Sequence, residues 1–190
     1  MKSSLTNILK LTYSFSEINR DMYYPDRERP ENDAEHAFQL STLAWHIIEK
    51  DKLDLDVARV LKLCLAHDLV EIYAGDVPLW AKDGHDEKEA REKLALNRLT
   101  EELSSTSDMT DAIREYKKRE TKEAIFVYGL DKLLPFLNQL HIGGKVWKSN
   151  NVSMARALEV LERQSKISNH LSKYFVEAID YMKRHESELF

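Results

Sequence analysis

The chain has 190 residues, a formal charge of -5 and a pI of about 5.8. That length suits one domain burying roughly 70% of its unfolded surface, and 5 Gly and 4 Pro exclude disordered, collagen-like and loop-rich all-β classes. The acidic balance offers no field for a nucleic-acid polymer or an anionic membrane surface, and Cys64, the single cysteine, excludes an intramolecular disulfide and a Cys-rich zinc site.

Apolar residues recur at helical spacing almost everywhere and alternate as in strands almost nowhere. The first predicted helix, about 3–19, carries Leu5, Ile8, Leu9, Leu11 and Tyr13. An aromatic and basic loop with Pro25 and Pro30 fills 20–33. Asn32 offers an N-cap with Glu35 three residues on, opening a helix over about 33–50. Asp54 or Asp56 starts the next helix, expected to reach about 73 and to stop before Gly75 and Pro78; 74–86 is a loop. The segment from Asp86 to Leu103 reads as a solvated surface helix with a thin apolar stripe of Ala90, Leu94, Leu96 and Leu99. A Ser/Thr-rich break at 104–107 precedes helices near 109–118 and 120–141, closed by Gly143 and Gly144. Amphipathic segments follow at about 152–170 and 172–186. With no internal repeat or linker, the expectation is one all-α domain over 1–190, built of seven to nine helices. No run of about 18 apolar residues exists, and Met1 to Lys10 lacks the apolar stretch of a signal peptide, so a cytoplasmic location is expected.

The sharpest chemical anomaly lies between Leu63 and Ile72. A helix apolar on nearly every face belongs in a core, yet this one carries His67, Asp68 and Glu71. A buried carboxylate needs a partner, a hydrogen-bond network or a metal, and spacings of three and four put these groups on one side of a helix. His36 stands in the first turn of another amphipathic helix, and Asp131 follows the apolar run Ala124 to Leu130. Taken singly, each has a plain structural reading: a satisfied His–Asp pair, a surface histidine, an inter-helix salt bridge. Together, two imidazoles and two carboxylates form a mixed N/O set suited to a divalent transition-type ion, with positions left for water and substrate. Spacing alone leaves these alternatives open.

The order His36, His67-Asp68, Asp131 resembles the H…HD…D pattern of the HD-domain metal-dependent phosphohydrolases. The flanking segments Arg29 to His36, Ala66 to Pro78 and Leu130 to Leu133 are similar to the 5′-deoxynucleotidase branch, over about residues 5–142. The resemblance implies an HD helical bundle with one divalent ion per chain (Mn, Co, Fe, Ni or Zn), held by His36, His67, Asp68 and Asp131. It implies Glu71 as general acid or base, Asp76 as a substrate-contacting acid that helps orient water, and Arg20 as the phosphate-orienting arginine. It places the nucleotide along Asp76, Val77, Pro78 and Leu79; Lys82 is a further candidate for the phosphate. The implied activity is hydrolysis of (deoxy)nucleoside 5′-monophosphates to nucleoside and phosphate by a homodimer. Its competitors are an HD phosphohydrolase for another phosphorylated substrate and a non-catalytic HD ligand-binding module.

Departures from the family pattern matter as well. Asp21 and Met22 follow Arg20 where the related enzymes carry an aromatic residue, leaving Tyr23 and Tyr24 nearest. Arg27 and Arg29 rival Arg20 for the phosphate, and Trp80 is placed to stack on a base or to anchor the core. Pro135 is expected to kink or end its helix, because its ring meets the Asp131 carbonyl. His46, beside Trp45, Ile47 and Ile48, reads as a core histidine, and Cys64 as a small core residue. Trp147, Tyr174, Phe175 and Tyr181 either complete the core or form a dimer interface.

Overall fold

The computed structural model describes residues 4–24, 28–76, 85–103 and 107–190, and in the helix beginning at 85 the side chains from 89 onward. The order is α1 (Ser4–Ser16), β1 (Asn19–Tyr23), β2 (Pro30–Asn32), α2 (Asp33–Asp51), α3 (Val57–Ala66), α4 (Glu71–Ala74), α5 (His85–Glu102), α6 (Ser107–Lys118), α7 (Lys122–His141), α8 (Lys145–Ser149), α9 (Met154–Gln164), a 3₁₀ turn (Asn169–Leu171), α10 (Ser172–Arg184) and α11 (Glu186–Leu189). The fold is all-α, as expected. Eight of these helices have ten residues or more.

Local chemistry sets the starts. The Asn32 side chain accepts from the Glu35 N–H while the Glu35 carboxylate accepts from the Asn32 N–H, closing the expected capping box. Asp56, Thr121 and Ser153 cap α3, α7 and α9 through their side-chain oxygens. α7 is the axis of the molecule. Phe126, Val127, Leu130, Leu133, Leu134 and Phe136 are all buried along it. α2, α3, α9 and α10 pack around it, contributing Leu40, Leu63, Leu161 and Phe175 to one continuous core.

Five expectations are corrected. The loop assigned to 20–33 contains an antiparallel pair, with Asn19 opposite Asn32 and Tyr23 opposite Pro30; its prolines and polar residues hide any period of two. The single helix expected to reach 73 stops at Ala66. Beyond it the N–H groups of Leu69, Glu71, Ile72 and Tyr73 each bond three residues back, winding the chain more tightly before α4. α7 does not end at Pro135 but continues six residues to His141. Burial of Leu133, Leu134 and Phe136 on both sides outweighs the roughly 3 kcal/mol that a helix-interior proline costs. The buried stripe of α5 is Ala95, Leu99 and Leu103, whereas Ala90 and Leu94 face outward. His46 is exposed.

The C-terminal aromatics divide. Trp147 and Phe175 complete the core, and Trp147 stacks on Phe190 at 4.8 Å between ring centroids. Tyr181 stays exposed. Gly144, at φ +70°, lets α11 return: a Cβ there would meet the Leu189 carbonyl oxygen at 1.9 Å.

Candidate metal centre

Three buried segments deliver the titratable side chains to one point. His36 lies one turn into α2, just beyond the capping box, and is 1% exposed. His67 is the C-cap of α3 and Asp68 follows it in the tight turn. In such a turn residues i and i+3 eclipse, and the Glu71 N–H bonds to the Asp68 carbonyl, which aligns Glu71 with Asp68. Asp131 projects from the middle of α7 and is 4% exposed.

One donor atom from each of His36, His67, Asp68 and Asp131 lies within 4.8 Å of the others. His36 Nε2 is 3.1 Å from Asp131 Oδ1, and His67 Nε2 is 2.8 Å from Asp68 Oδ2 and 3.7 Å from Asp131 Oδ1. Donors about 2.1 Å from a metal stand up to about 4.2 Å apart across it, so the cluster needs only a small contraction to close on an ion. The orphaned atom in this cluster is His67 Nε2. His67 Nδ1 donates to the Cys64 carbonyl at 2.8 Å, which turns the Nε2 lone pair toward the carboxylates. Nε2 is buried and makes no aligned hydrogen bond despite the short approach of Asp68. A neutral Nε2 lone pair facing two carboxylate oxygens is repulsive unless a proton, or a metal ion in its place, stands among them. Without the ion, burial opposes charge on His67, but Asp68 and Asp131 overcome it and raise the imidazole to about 10. The donor set fits a divalent ion on this ground, and the ligand types suit Mn, Co, Fe, Ni or Zn.

The surroundings hold the donors. The Tyr116 hydroxyl and Lys132 Nζ both donate to Asp131 Oδ2 at 2.9 Å, leaving Oδ1 toward the imidazoles. Burial works against charge on Asp131, but Lys132 and the two histidines overcome it and keep the carboxyl well below its usual range. Burial likewise opposes the charge of Asp68, which His67 and Arg20 hold down. Glu71 behaves oppositely: burial, then Asp68, Asp33 and Asp76, push its carboxyl far upward against the opposing Arg20. Burial raises Glu31, 3.8 Å from His36 Nδ1, to about 7. Burial also raises the Cys64 thiol to about 12, which makes it an inert core residue.

Arg20 reaches the rim from β1, its Nη1 bonded to Asp33 Oδ1 at 2.9 Å and to Asp68 Oδ2 at 2.8 Å. Glu71 Oε2 is 3.9 Å from the same nitrogen. Asp76 is half-buried just past α4, and it is among the carboxylates that raise Arg20 against the opposing effect of burial. Arg29 is engaged elsewhere: it forks onto the Glu35 carboxylate at 2.9 and 2.5 Å and lies over the Tyr24 ring. Arg27, Val77, Pro78, Leu79, Trp80 and Lys82 lie outside the described residues. Four residues that the sequence reading gave no role line the centre: Glu31, Asp33, Tyr116 and Lys132. The i, i+3 relation of Asp33 to His36 was the available signal for the second of them.

An all-α bundle whose core converges two histidines and two aspartates from three segments defines an HD-domain protein. The HD domain family model matches residues 17–172, and the chain belongs to that family. Among particular relatives, the 5′-deoxynucleotidase HDDC2 of Xenopus laevis is 31% identical over 72% of this chain and 68% of its own length. The human 5′-deoxynucleotidase HDDC2 is 29% identical over 68% of this chain and 63% of its own. A crystal structure described as a predicted metal-dependent phosphohydrolase, from Magnetospirillum magnetotacticum MS-1, superposes with a TM-score of 0.81 at 30% identity, covering 97% of this chain and 95% of that one.

Proposed function

We propose that the protein is a metal-dependent phosphohydrolase that converts (deoxy)nucleoside 5′-monophosphates to nucleoside and phosphate, acting as a single HD domain over 1–190. The observation that carries this reading is the orphaned His67 Nε2 facing Asp68 and Asp131, with His36 completing the donor set and Arg20 at its edge. The 5′-deoxynucleotidase relatives support the substrate class.

In this reading His36, His67, Asp68 and Asp131 hold one divalent ion, which when bound supplies charge stabilisation to the phosphoryl group and lowers the pKa of water. The chain's own groups do the rest. The Arg20 guanidinium orients the phosphate, its planar fork matching two phosphate oxygens better than an ammonium. Glu71, whose carboxyl is pushed far upward by burial and then by the carboxylates around it, acts as the general acid or base, giving a proton to the leaving 5′-oxygen or taking one from the attacking water. Asp76 accepts a hydrogen bond from the attacking water. Val77, Pro78, Leu79 and Lys82 complete the nucleotide contacts.

The reading includes a homodimer in the cytoplasm, with no nucleic-acid polymer and no membrane as partner. Exposed Leu5, Leu9 and Tyr13 on α1, and Phe38 and Trp45 on α2, are apolar faces that a second subunit would cover; light scattering behind a sizing column reads the mass directly.

The deciding experiment measures phosphate release from deoxy- and ribonucleoside 5′-monophosphates by stripped protein, with each divalent metal returned in turn. Metal-dependent release by the wild type and none by Asp68→Ala is the expected result. Release of pyrophosphate or triphosphate from other nucleotides, with monophosphates untouched, would replace the substrate; no turnover of any of them would leave a binding module.

A further inference from the structure

Arg20 is anchored twice, and the two anchors are unequal. Its Nη1 donates to Asp33 Oδ1 at 2.9 Å and to Asp68 Oδ2 at 2.8 Å. Asp68 cannot serve as the lasting anchor, because the same oxygen stands 2.8 Å from His67 Nε2 and Asp68 is one of the four residues that would hold the ion. An oxygen engaged by a divalent cation has less charge to offer a guanidinium. Asp33 lies outside that set of four.

Asp33 is fully buried as the first residue of α2. Its backbone N–H donates to the Ile18 carbonyl at 3.1 Å, so main chain and side chain together pin the start of β1 to the helix that carries His36. A buried carboxylate is costly unless it is paired, and an apolar residue would fill the first turn of a helix at no such cost. The placement makes sense if a cation must be held at that spot. Asp33, Asp68 and Glu71 also group within metal-ligand reach of one another, but the Arg20 guanidinium already stands against all three, at 2.9, 2.8 and 3.9 Å.

We propose that Asp33 is the positioning residue for Arg20: it holds the guanidinium at the rim of the metal centre, oriented for a phosphate, when Asp68 is committed to the ion. The proposal rests on the phosphohydrolase reading for the identity of the ligand that Arg20 meets. The physical gain is preorganisation. A fixed fork loses less freedom on binding a phosphate than a mobile one.

The test compares wild type, Asp33→Asn, Arg20→Ala and the double variant, loaded with metal and titrated with inorganic phosphate by calorimetry. Asp33→Asn is expected to weaken phosphate binding about tenfold, the scale of one charged hydrogen bond, with metal affinity and stoichiometry unchanged. The double variant should bind phosphate no more weakly than Arg20→Ala, since Asp33 acts through Arg20. With nucleotide substrate, KM should rise more than kcat falls. Additive losses, unchanged phosphate affinity or an altered metal stoichiometry would each overturn the proposal. Guanidinium NMR of the phosphate-free protein separates it from the functional reading. Arg20 side-chain N–H signals should exchange slowly in the wild type and become averaged in Asp33→Asn, whichever ligand the site takes. Unchanged signals sink the positioning role, whereas a wild type that binds no phosphate sinks the phosphohydrolase reading instead. Should Asp33→Asn fold poorly, Asp33→Ala supplies the same comparisons without leaving a buried polar group.

Discussion

At the scale of single residues, the proposed centre separates groups that would hold an ion from groups that would aim them. Tyr116 aims. Its hydroxyl donates to Asp131 Oδ2, and its ring meets the His67 ring edge-on at 5.2 Å. Tyr116→Phe keeps the ring and removes the hydrogen bond, so the expected outcome is a folded protein binding its metal roughly 10- to 100-fold more weakly. Calorimetric titration of stripped protein checks this, and an unchanged affinity would assign the orientation of Asp131 to Lys132 alone. Glu71 belongs to neither class. Glu71→Gln should retain the metal while turnover falls about 10²- to 10⁴-fold, the range for loss of one general acid; a variant that also lost its metal would move Glu71 into the donor set. The four candidate donors are legible because His67, Asp68 and Asp131 are titratable groups set in apolar runs, and because the order of all four, His36 included, resembles the H…HD…D pattern of the HD family. Asp33 and Tyr116 escape that filter. An aspartate in a first helical turn and a tyrosine on an amphipathic helix look ordinary until the fold shows that they face Arg20 and Asp131.

Among elements, the segment that matters most is the one the periodicity misjudged. The residues from Leu63 to Tyr73 read as one helix, since apolar residues cover nearly every face of that stretch. The chain instead tightens after Ala66, and the difference is carried by three-residue hydrogen bonds that a pattern of apolar residues does not encode. The break matters to the proposed site, because it brings Asp68 and Glu71 into line. The breaker at its end was visible: Gly75 closes α4 at φ +75°, ψ +152°, a conformation that residues with a Cβ rarely adopt. A Cβ at Gly75 meets nothing within 4 Å, so Gly75→Ala carries a backbone cost alone. It should destabilise the protein by about 1–3 kcal/mol, read by denaturant unfolding. Because Asp76 follows directly, turnover should fall further than the lost stability explains. A variant as stable as wild type would mean that the chain beyond α4 rearranges freely.

For the whole molecule, the C-terminal helices carry no recognisable motif yet complete the core around α7. Their amphipathic faces made helices legible, while their docking partners were not, because helix-to-helix register depends on contacts far apart in sequence. One such contact is polar. Asp51, at the end of α2, accepts from Lys173 Nζ at 2.5 Å and from the Tyr174 hydroxyl at 2.9 Å on α10. Lys173, with Tyr174, holds the Asp51 carboxyl below its ordinary value against the opposing effect of burial. A carboxyl lowered on folding stabilises the native state above the unfolded value, about 4. That contribution fades as the pH falls toward the depressed native value. The melting temperature of Asp51→Asn should therefore lie below wild type near neutral pH, and the gap should narrow as the pH is taken from about 6 to below about 3. A gap that stayed constant across that range would show that the clasp between α2 and α10 depends on shape rather than on charge.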